Sequence, residues 1–424
     1  MIYFERGSEE DSLSADDLKQ GLFTALAALG PVKKMLIVPP DITRLHSRAG
    51  ELTRYAFEHD PAAISGILPA LGTHYPMHEK EIEIMFGNLP RNLFKIHDWR
   101  SGCTRMGEIP ADFITSISEG AVDYPIPVTI DNQLLSRDLD CILSIGQIVP
   151  HEVAGMAGHG KNIFVGLGGQ ENIHKSHFLG AAYGIERIMG RIDSPVRKVI
   201  DYAFDKYLNS LPVVHAITVI EKDKTGASHV RGLFVGAGKE CYTRSAQLSH
   251  KVNIQVLDKP LTKVVVYLDA VEYKSFWLGN KSIYRTRMAI ADKGELIVLA
   301  PGVGAFGEDR EIDALIRKYG YKGTPAVMKN IAENQDLKNN LSAAAHLIHG
   351  STEGRFSVTY CTSGLGKDDV ERAGFKFAPI ESMIKRYDPA MLQDGPNTLS
   401  DGEQIYFISN PGAGLWADKA RFEL

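Results

Sequence analysis

The window Pro150-His151-Glu152-Val153-Ala154-Gly155-Met156-Ala157-Gly158-His159-Gly160-Lys161 gathers histidine, glycine and lysine on one segment. It follows an apolar run, Cys141 to Val149, that reads as a buried strand. Glycine lets a backbone approach a ligand closely. A lysine amine is a nucleophile or a phosphate partner, and imidazoles move protons or bind metals. His174 and His177 follow, three residues apart, so on a helix they share one face. That spacing suits metal ligation, but surface histidines are its commoner source, and no HExxH motif is present. The run from Gly155 to Lys161 approaches the phosphate-binding pattern Gly-x4-Gly-Lys. Asn162 stands where that pattern needs Ser or Thr, so the reading is against a P-loop NTPase.

Three other strand-like runs also end in polar clusters. Lys34 to Pro39 leads into Pro40-Asp41-Ile42-Thr43-Arg44, Ile64 to Leu71 into Gly72-Thr73-His74, and Asn92 to His97 into Asp98-Trp99. In open α/β sheets, ligands sit beyond the carboxyl ends of strands. Arg44 offers a planar fork of donors for a phosphate or carboxylate. Alone, Asp41 or Thr43 reads more simply as a helix cap, His74 as a loop histidine, and His97-Asp98 as a supporting or surface pair. Four such strand ends together indicate one site.

The elements that must carry these residues alternate along the chain. Ser12 to Leu29 and Glu79 to Phe86 have helical periodicity between the strand-like runs. This predicts an α/β layered domain with a largely parallel sheet. Ile185 to Leu208 reads as mostly helical, and Val213–Glu221 and Val230–Val235 as strands joined by the polar turn 222–228. Asp258-Lys259-Pro260 reads as a linker. After it come a strand from Thr262 to Leu268, a helix from Lys281 to Ala291, a strand from Glu295 to Ala300 and a helix from Ile312 to Lys318. Gln404 to Ser409 reads as a last strand, before the loop Pro411–Gly414. The expectation is two α/β domains, 1–259 and 260–424, the last residues being free to return to the first. A cofactor and substrate cleft is expected between the two.

The 424 residues exceed one ordinary core. An apolar share of 44%, a charged share of 23% and a net charge of −5 describe a globular protein with no nucleic-acid signature. The N-terminus lacks a signal-peptide pattern, no apolar run spans a bilayer, and Cys103, Cys141, Cys241 and Cys361 are scattered. A reducing cytoplasm and no membrane partner are the expectation.

Asp41-x-Thr-Arg44, Gly72-Thr-His74, Pro150-His151, the glycine loop with Lys161, and His177 together resemble the nickel-dependent lactate racemase family. The resemblance implies a nickel-pincer nucleotide, a pyridinium mononucleotide whose two sulfur-bearing arms hold nickel. It implies that Lys161 attaches this cofactor covalently and that His177 is the protein's ligand to nickel, in a square-planar set that suits nickel(II). His74 and His151 become the acid/base pair, and Asp41, Ile42, Thr43 and Arg44 contact the cofactor. Arg44, Tyr284 and Arg285 become substrate contacts. The implied activity is racemisation or epimerisation at C2 of a 2-hydroxy carboxylic acid by reversible hydride transfer, which avoids a carbanion at a poorly acidic carbon. Proteins that build the cofactor become transient partners.

Two departures bear on the substrate. Met288 stands where lactate-type members carry a lysine, and Tyr75 follows His74 where arginine is usual. A larger or sugar acid, such as an aldonate, is therefore expected over lactate, with Arg285 or Arg287 replacing the lost charge. The competing readings are a zinc hydrolase using His74, His151 and His177, and a non-catalytic protein that binds or stores a nucleotide cofactor.

Overall fold

The computed structural model of the chain describes residues 1–223 and 227–423. It is a mixed α/β protein of two compact units. One comprises residues 1–179, 190–221 and 229–253; the other is formed mainly by 180–189 and 254–423.

The first unit is built on a six-stranded sheet of β1 (Ile2–Gly7), β2 (Met35–Val38), β3 (Ile64–Ile67), β4 (Cys141–Gln147), β5 (Val213–Lys222) and β6 (Ser228–Gly236), in the order β1-β6-β5-β4-β2-β3. Strands β3, β2, β4 and β5 run parallel, while β1 pairs antiparallel with β6. Every residue of β2 and β4 is buried. That is the signature of strands covered on both faces, and it explains why they read as continuous apolar runs. The helix Ala15–Leu29 starts at Ser14, whose hydroxyl accepts from the Asp17 amide while the Asp17 carboxylate accepts from the Ser14 amide. Its Leu18, Leu22, Ala25 and Leu26 recur at helical spacing and join Ile37, Leu52, Phe86, Leu143 and Ile145 in one core.

The second unit carries β7 (Leu261–Tyr267), β8 (Ile290–Leu299), β9 (Ser357–Cys361), β10 (Lys376–Ala378), β11 (Gly395–Thr398) and β12 (Gln404–Ile408), in the order β10-β9-β8-β7-β12-β11. All pairs are parallel except β11 with β12. Val265, Ile297, Leu299 and Phe407 pack with Ile380 and Tyr387 on one face.

Three sequence-based expectations need correction. Asn92–His97 is not a strand. A short 3-10 turn, Arg91–Leu93, follows Pro90, and the contact with the sheet is a bridge of Phe94 with Ile67, where the Lys95 amide donates to the Ile67 carbonyl at 2.8 Å. The His97 ring then turns inward to Asp131, which ends the extended pairing. Lys281–Ala291 is helical only over Lys281–Tyr284. Beyond it Met288 pairs with Ala417, and β8 begins at Ile290, so pairing overrides the helical pattern. Ile185–Leu208 splits into Ile185–Ile188 and Pro195–Lys206, because Gly190 takes a left-handed φ of 77° and Ser194 with Pro195 starts a new helix. Part of the expected turn at 222–228, residues 224–226, lies outside the described residues. Among the described residues no helix is long and apolar enough to cross a membrane.

The helix Ala49–His59 follows the Asp41–Arg44 segment and crosses the helix Glu79–Phe86 at Gly50. A Cβ there would lie 1.9 Å from the Met85 carbonyl oxygen. Backbone cannot yield as a flexible side chain does. Gly50→Ala is expected to lower the unfolding free energy by about 1–3 kcal/mol or more, read from urea denaturation. A wild-type midpoint would show that the crossing is not tight.

Candidate functional site

Because β2, β3 and β4 are parallel neighbours, their carboxyl ends lie on one edge of the sheet. β2 sits between β3 and β4, so the chain order reverses there, and such a switch point opens a crevice for a ligand. The loops that leave these three ends carry Asp41 to Arg44, His74, and His151 with Lys161.

Asp41 is buried and caps the turn Ile42–Ser47, accepting from the Thr43 amide at 3.1 Å and the Thr43 hydroxyl at 2.5 Å. Its other carboxylate oxygen lies 2.6 Å from His74 Nδ1. Burial pushes the Asp41 carboxyl up, but His74, Thr43 and Arg44 outweigh burial and hold it below its usual range. The cap reading and the site reading are therefore both true of Asp41. An ionised carboxylate only accepts, so His74 Nδ1 carries a proton toward Asp41. His74 is about one-third exposed. Ile42 packs against the core. Arg44 is partly exposed, and its guanidinium donates no hydrogen bond to any described residue.

His151 is buried in a hairpin, where Pro150–His151 pairs antiparallel with Gly155–Met156. Its Nδ1 accepts from the Val153 amide at 3.1 Å, and the Glu152 carboxylate lies 3.8 Å from the same nitrogen. A ring that accepts at Nδ1 is protonated at Nε2 when neutral. The two Nδ1 atoms differ in role: that of His74 donates to Asp41, and that of His151 accepts from Val153.

The Lys161 loop turns back sharply. Gly158, at a φ of 74°, lies so close to β4 that a Cβ would sit 2.7 Å from the Gln147 carbonyl. His159 follows in a left-handed conformation without being glycine, φ 55°. Its ring is spent on structure, stacking on His215 at 3.8 Å and donating to the Gly238 carbonyl at 3.0 Å. The short helix Gly160–Phe164 then begins. Asn162, which spoils the P-loop pattern, donates to the Ile145 carbonyl at 3.0 Å and pins this helix to β4. The Gly166 amide donates to the Lys161 carbonyl, and the Gly72 amide to the Gly166 carbonyl at 2.8 Å, which ties the loop before His74 to the Lys161 loop.

Lys161 is partly exposed, and its amine makes no hydrogen bond or ion pair with any described residue. Burial first and Arg44 next pull its pKa down to about 8. Glu152 and Asp41 act against them and Arg197 acts with them. This places Lys161 within the electrostatic reach of the Asp41–Arg44 segment and of the residue next to His151.

His177 lies on the helix Gln170–Tyr183 with His174, as the spacing predicts. His177 Nδ1 donates to the Ile173 carbonyl at 2.7 Å, so a neutral ring carries its proton on Nδ1. That arrangement is the usual support of a metal-binding imidazole. His174 is buried, with Trp99 its ring neighbour at 6.2 Å. His97 is buried between Asp131 (2.7 Å) and the Gly168 carbonyl (3.2 Å), and Asp98 caps the turn at Arg100 and Ser101. Both hold the loop in place. Among the described residues, no three His, Cys, Asp or Glu side chains are grouped to hold a metal.

Tyr284 and Arg285 belong to the second unit. Tyr284 is buried with its ring 6.4 Å from His349, and Arg285 is fully buried, donating to the Gly414 carbonyl at 3.1 Å. Arg287 is bound to Glu186 at 2.9 Å and to the Ser351 carbonyl at 3.0 Å, and Met288 is fully buried. Two residues escaped sequence reading: Glu152, inside the window that reading singled out, and Arg197, in the segment Ile185–Leu208 that it read only as helical. Nothing in a helical pattern marks an arginine as buried.

The folded state favours ionised Asp41. Its contribution to stability is present above the ordinary carboxylate range and is lost as pH falls through the depressed folded value. Asp41→Asn is expected to cost about 1–3 kcal/mol at pH 7 and less in acid, by denaturant titration at both pH values. An equal cost at both would count against the ionised pair.

Residues 24–186 match the model of the lactate racemase N-terminal domain. A crystal structure of a Thermotoga maritima protein, solved by a structural-genomics consortium, is similar at 25% identity with a TM-score of 0.82, covering 97% of this chain and 100% of that one. The lactate racemase apoprotein from Thermoanaerobacterium thermosaccharolyticum is similar at 18% identity with a TM-score of 0.71, covering 97% of this chain and 94% of that one. No curated protein matches the chain.

Proposed function

From a lactate racemase-like chain, with that family's N-terminal domain over residues 24–186, we propose a racemase or epimerase that inverts C2 of a 2-hydroxy carboxylic acid with a nickel-pincer nucleotide bound at Lys161. The observation that carries the reading is an amine without a hydrogen bond among the described residues, in a loop tied through Gly72 and Gly166 to that of a carboxylate-supported imidazole on one sheet edge. The residues present fit the cofactor. Lys161 offers an amine whose pKa is lowered to about 8 for covalent attachment. His177 offers one nitrogen whose partner nitrogen is held by a carbonyl, which suits a metal that draws its other ligands from the cofactor. When bound, this cofactor supplies a hydride acceptor for the substrate's C2–H bond.

The chain's own residues do the rest. His74 Nε2 takes the hydroxyl proton, and the ionised Asp41 stabilises the imidazolium that results. His151, entering as an Nε2–H donor, bonds the substrate oxygen and serves the opposite face. Arg44 holds the substrate carboxylate, since its guanidinium has no other hydrogen-bonding duty among the described residues. Position 288 supplies no cation, and Arg287 is engaged by Glu186. That supports an acid larger than lactate, such as an aldonate, whose additional hydroxyls bring binding energy of their own.

Co-expression with the cofactor's biosynthetic enzymes is expected to raise the intact mass, and the increase should vanish in Lys161→Ala. Loaded protein offered a panel of 2-hydroxy acids should interconvert one pair of C2 epimers, followed by chiral chromatography. His74→Ala is expected to lose about 10²–10⁴-fold in kcat with the adduct retained. A mass increase without any epimerisation would leave a cofactor-binding protein and overturn the enzymatic reading.

A further inference from the structure

The second unit contains a cavity of about 330 Å³ whose wall includes four arginines, Arg187, Arg287, Arg355 and Arg421. A space of that size takes a small molecule. Guanidinium groups repel one another, so gathering them round one opening is costly unless anions answer them.

Two carboxylates thread three of these arginines together. Glu186 Oε1 accepts from Arg287 at 2.9 Å and from Arg355 at 3.2 Å. Asp292 Oδ1 accepts from Arg355 at 3.2 Å and from Arg421 at 2.7 Å. The other carboxylate of the wall, Glu353, accepts from the Thr324 amide at 3.0 Å and from its hydroxyl at 2.8 Å, at the start of the helix Thr324–Glu333. Backbone acceptors fix the guanidinium groups as well. Arg287 donates to the Ser351 carbonyl at 3.0 Å, and Arg355 to the carbonyls of Arg287 at 2.5 Å and Ile290 at 3.3 Å. Donors held in this way lose little entropy when a ligand arrives.

The existing pairs leave room for a stronger anion. Arg421 commits Nη2 alone, and its Nε and Nη1 make no hydrogen bond with any described residue. Its partner Asp292 is 67% exposed, and solvent weakens such a pair. Arg287 is buried, and burial holds its pKa below the ordinary value although Glu186 and Glu353 oppose that shift; Arg355 adds to it. A carboxylate pairs with a single fork, whereas a phosphate brings nearly two charges and three strong acceptor oxygens that several guanidinium groups can share.

We propose that this cavity binds the phosphate group of a small phosphorylated metabolite, held by Arg355 and Arg421 and favoured by the buried charge of Arg287. The site stands on the second unit alone and is independent of the reaction proposed above.

The test is isothermal titration calorimetry of the full chain with inorganic phosphate and with glycerol 3-phosphate, at constant ionic strength and about pH 8, where phosphate is mostly dianionic. Both probes are expected to give saturable heat for one site per chain. Arg421→Gln should weaken binding by about tenfold or more, and Arg355→Gln should do the same. Asp292→Asn removes an exposed competing anion and should tighten binding. Arg105→Gln, an exposed arginine of the first unit, controls for lost charge and should bind as wild type does. The absence of saturable heat in wild type would overturn the proposal. So would wild-type affinity in Arg421→Gln together with no gain in Asp292→Asn, both of which alter a partly or largely exposed pair and leave the backbone-bound arginines in place. Citrate binding as tightly as either phosphate probe would overturn the assignment to a phosphate group.

Discussion

The parallel pairing of β2 with β3 on one side and β4 on the other is the constraint from which the site follows. Parallel neighbours must leave the sheet at the same edge, and the change of direction at β2 parts the crossovers above it. Three loops distant in sequence are thereby delivered to one place. Hydrogen bonds then tighten the arrangement: Asp41 to His74 across two loops, and Gly72 to Gly166 between the β3 loop and the Lys161 loop.

The electrostatics of that edge turn on how few of its charges are neutralised in pairs. Asp41 is shared among Thr43, His74 and Arg44, while Lys161 has no hydrogen bond or ion pair among the described residues. Burial and the guanidinium of Arg44 lower the Lys161 amine to about 8, well below an exposed lysine, with Glu152 and Asp41 acting against them. The same logic separates the histidines. His97, His159 and His215 are buried and committed to packing or to a fixed bond, whereas His74 is partly open and backed by a carboxylate.

Much of this was legible beforehand. Fully buried parallel strands advertise themselves as uninterrupted apolar runs, so β2 and β4 stood out, and the polar residues after them could be read as strand-end clusters. The resemblance to lactate racemases rested on those same clusters, and both the N-terminal domain match and the fold agree with it. The misreadings lay where an element depends on a distant partner. Asn92–His97 has strand-like composition, yet His97 is drawn to Asp131; Lys281–Ala291 has helical periodicity, yet Met288 meets Ala417.

Sequence alone determined which residue types stand at the ends of which strands, because periodicity and turn residues are local properties of a chain. Tertiary structure decided which nitrogen of each imidazole carries the proton, since that depends on a carboxylate, an amide or a carbonyl brought up by folding. It also decided that Arg197 lies buried without a carboxylate bonded to it. Burial and net field are sums over neighbours far apart along the chain, and no spacing of letters encodes them.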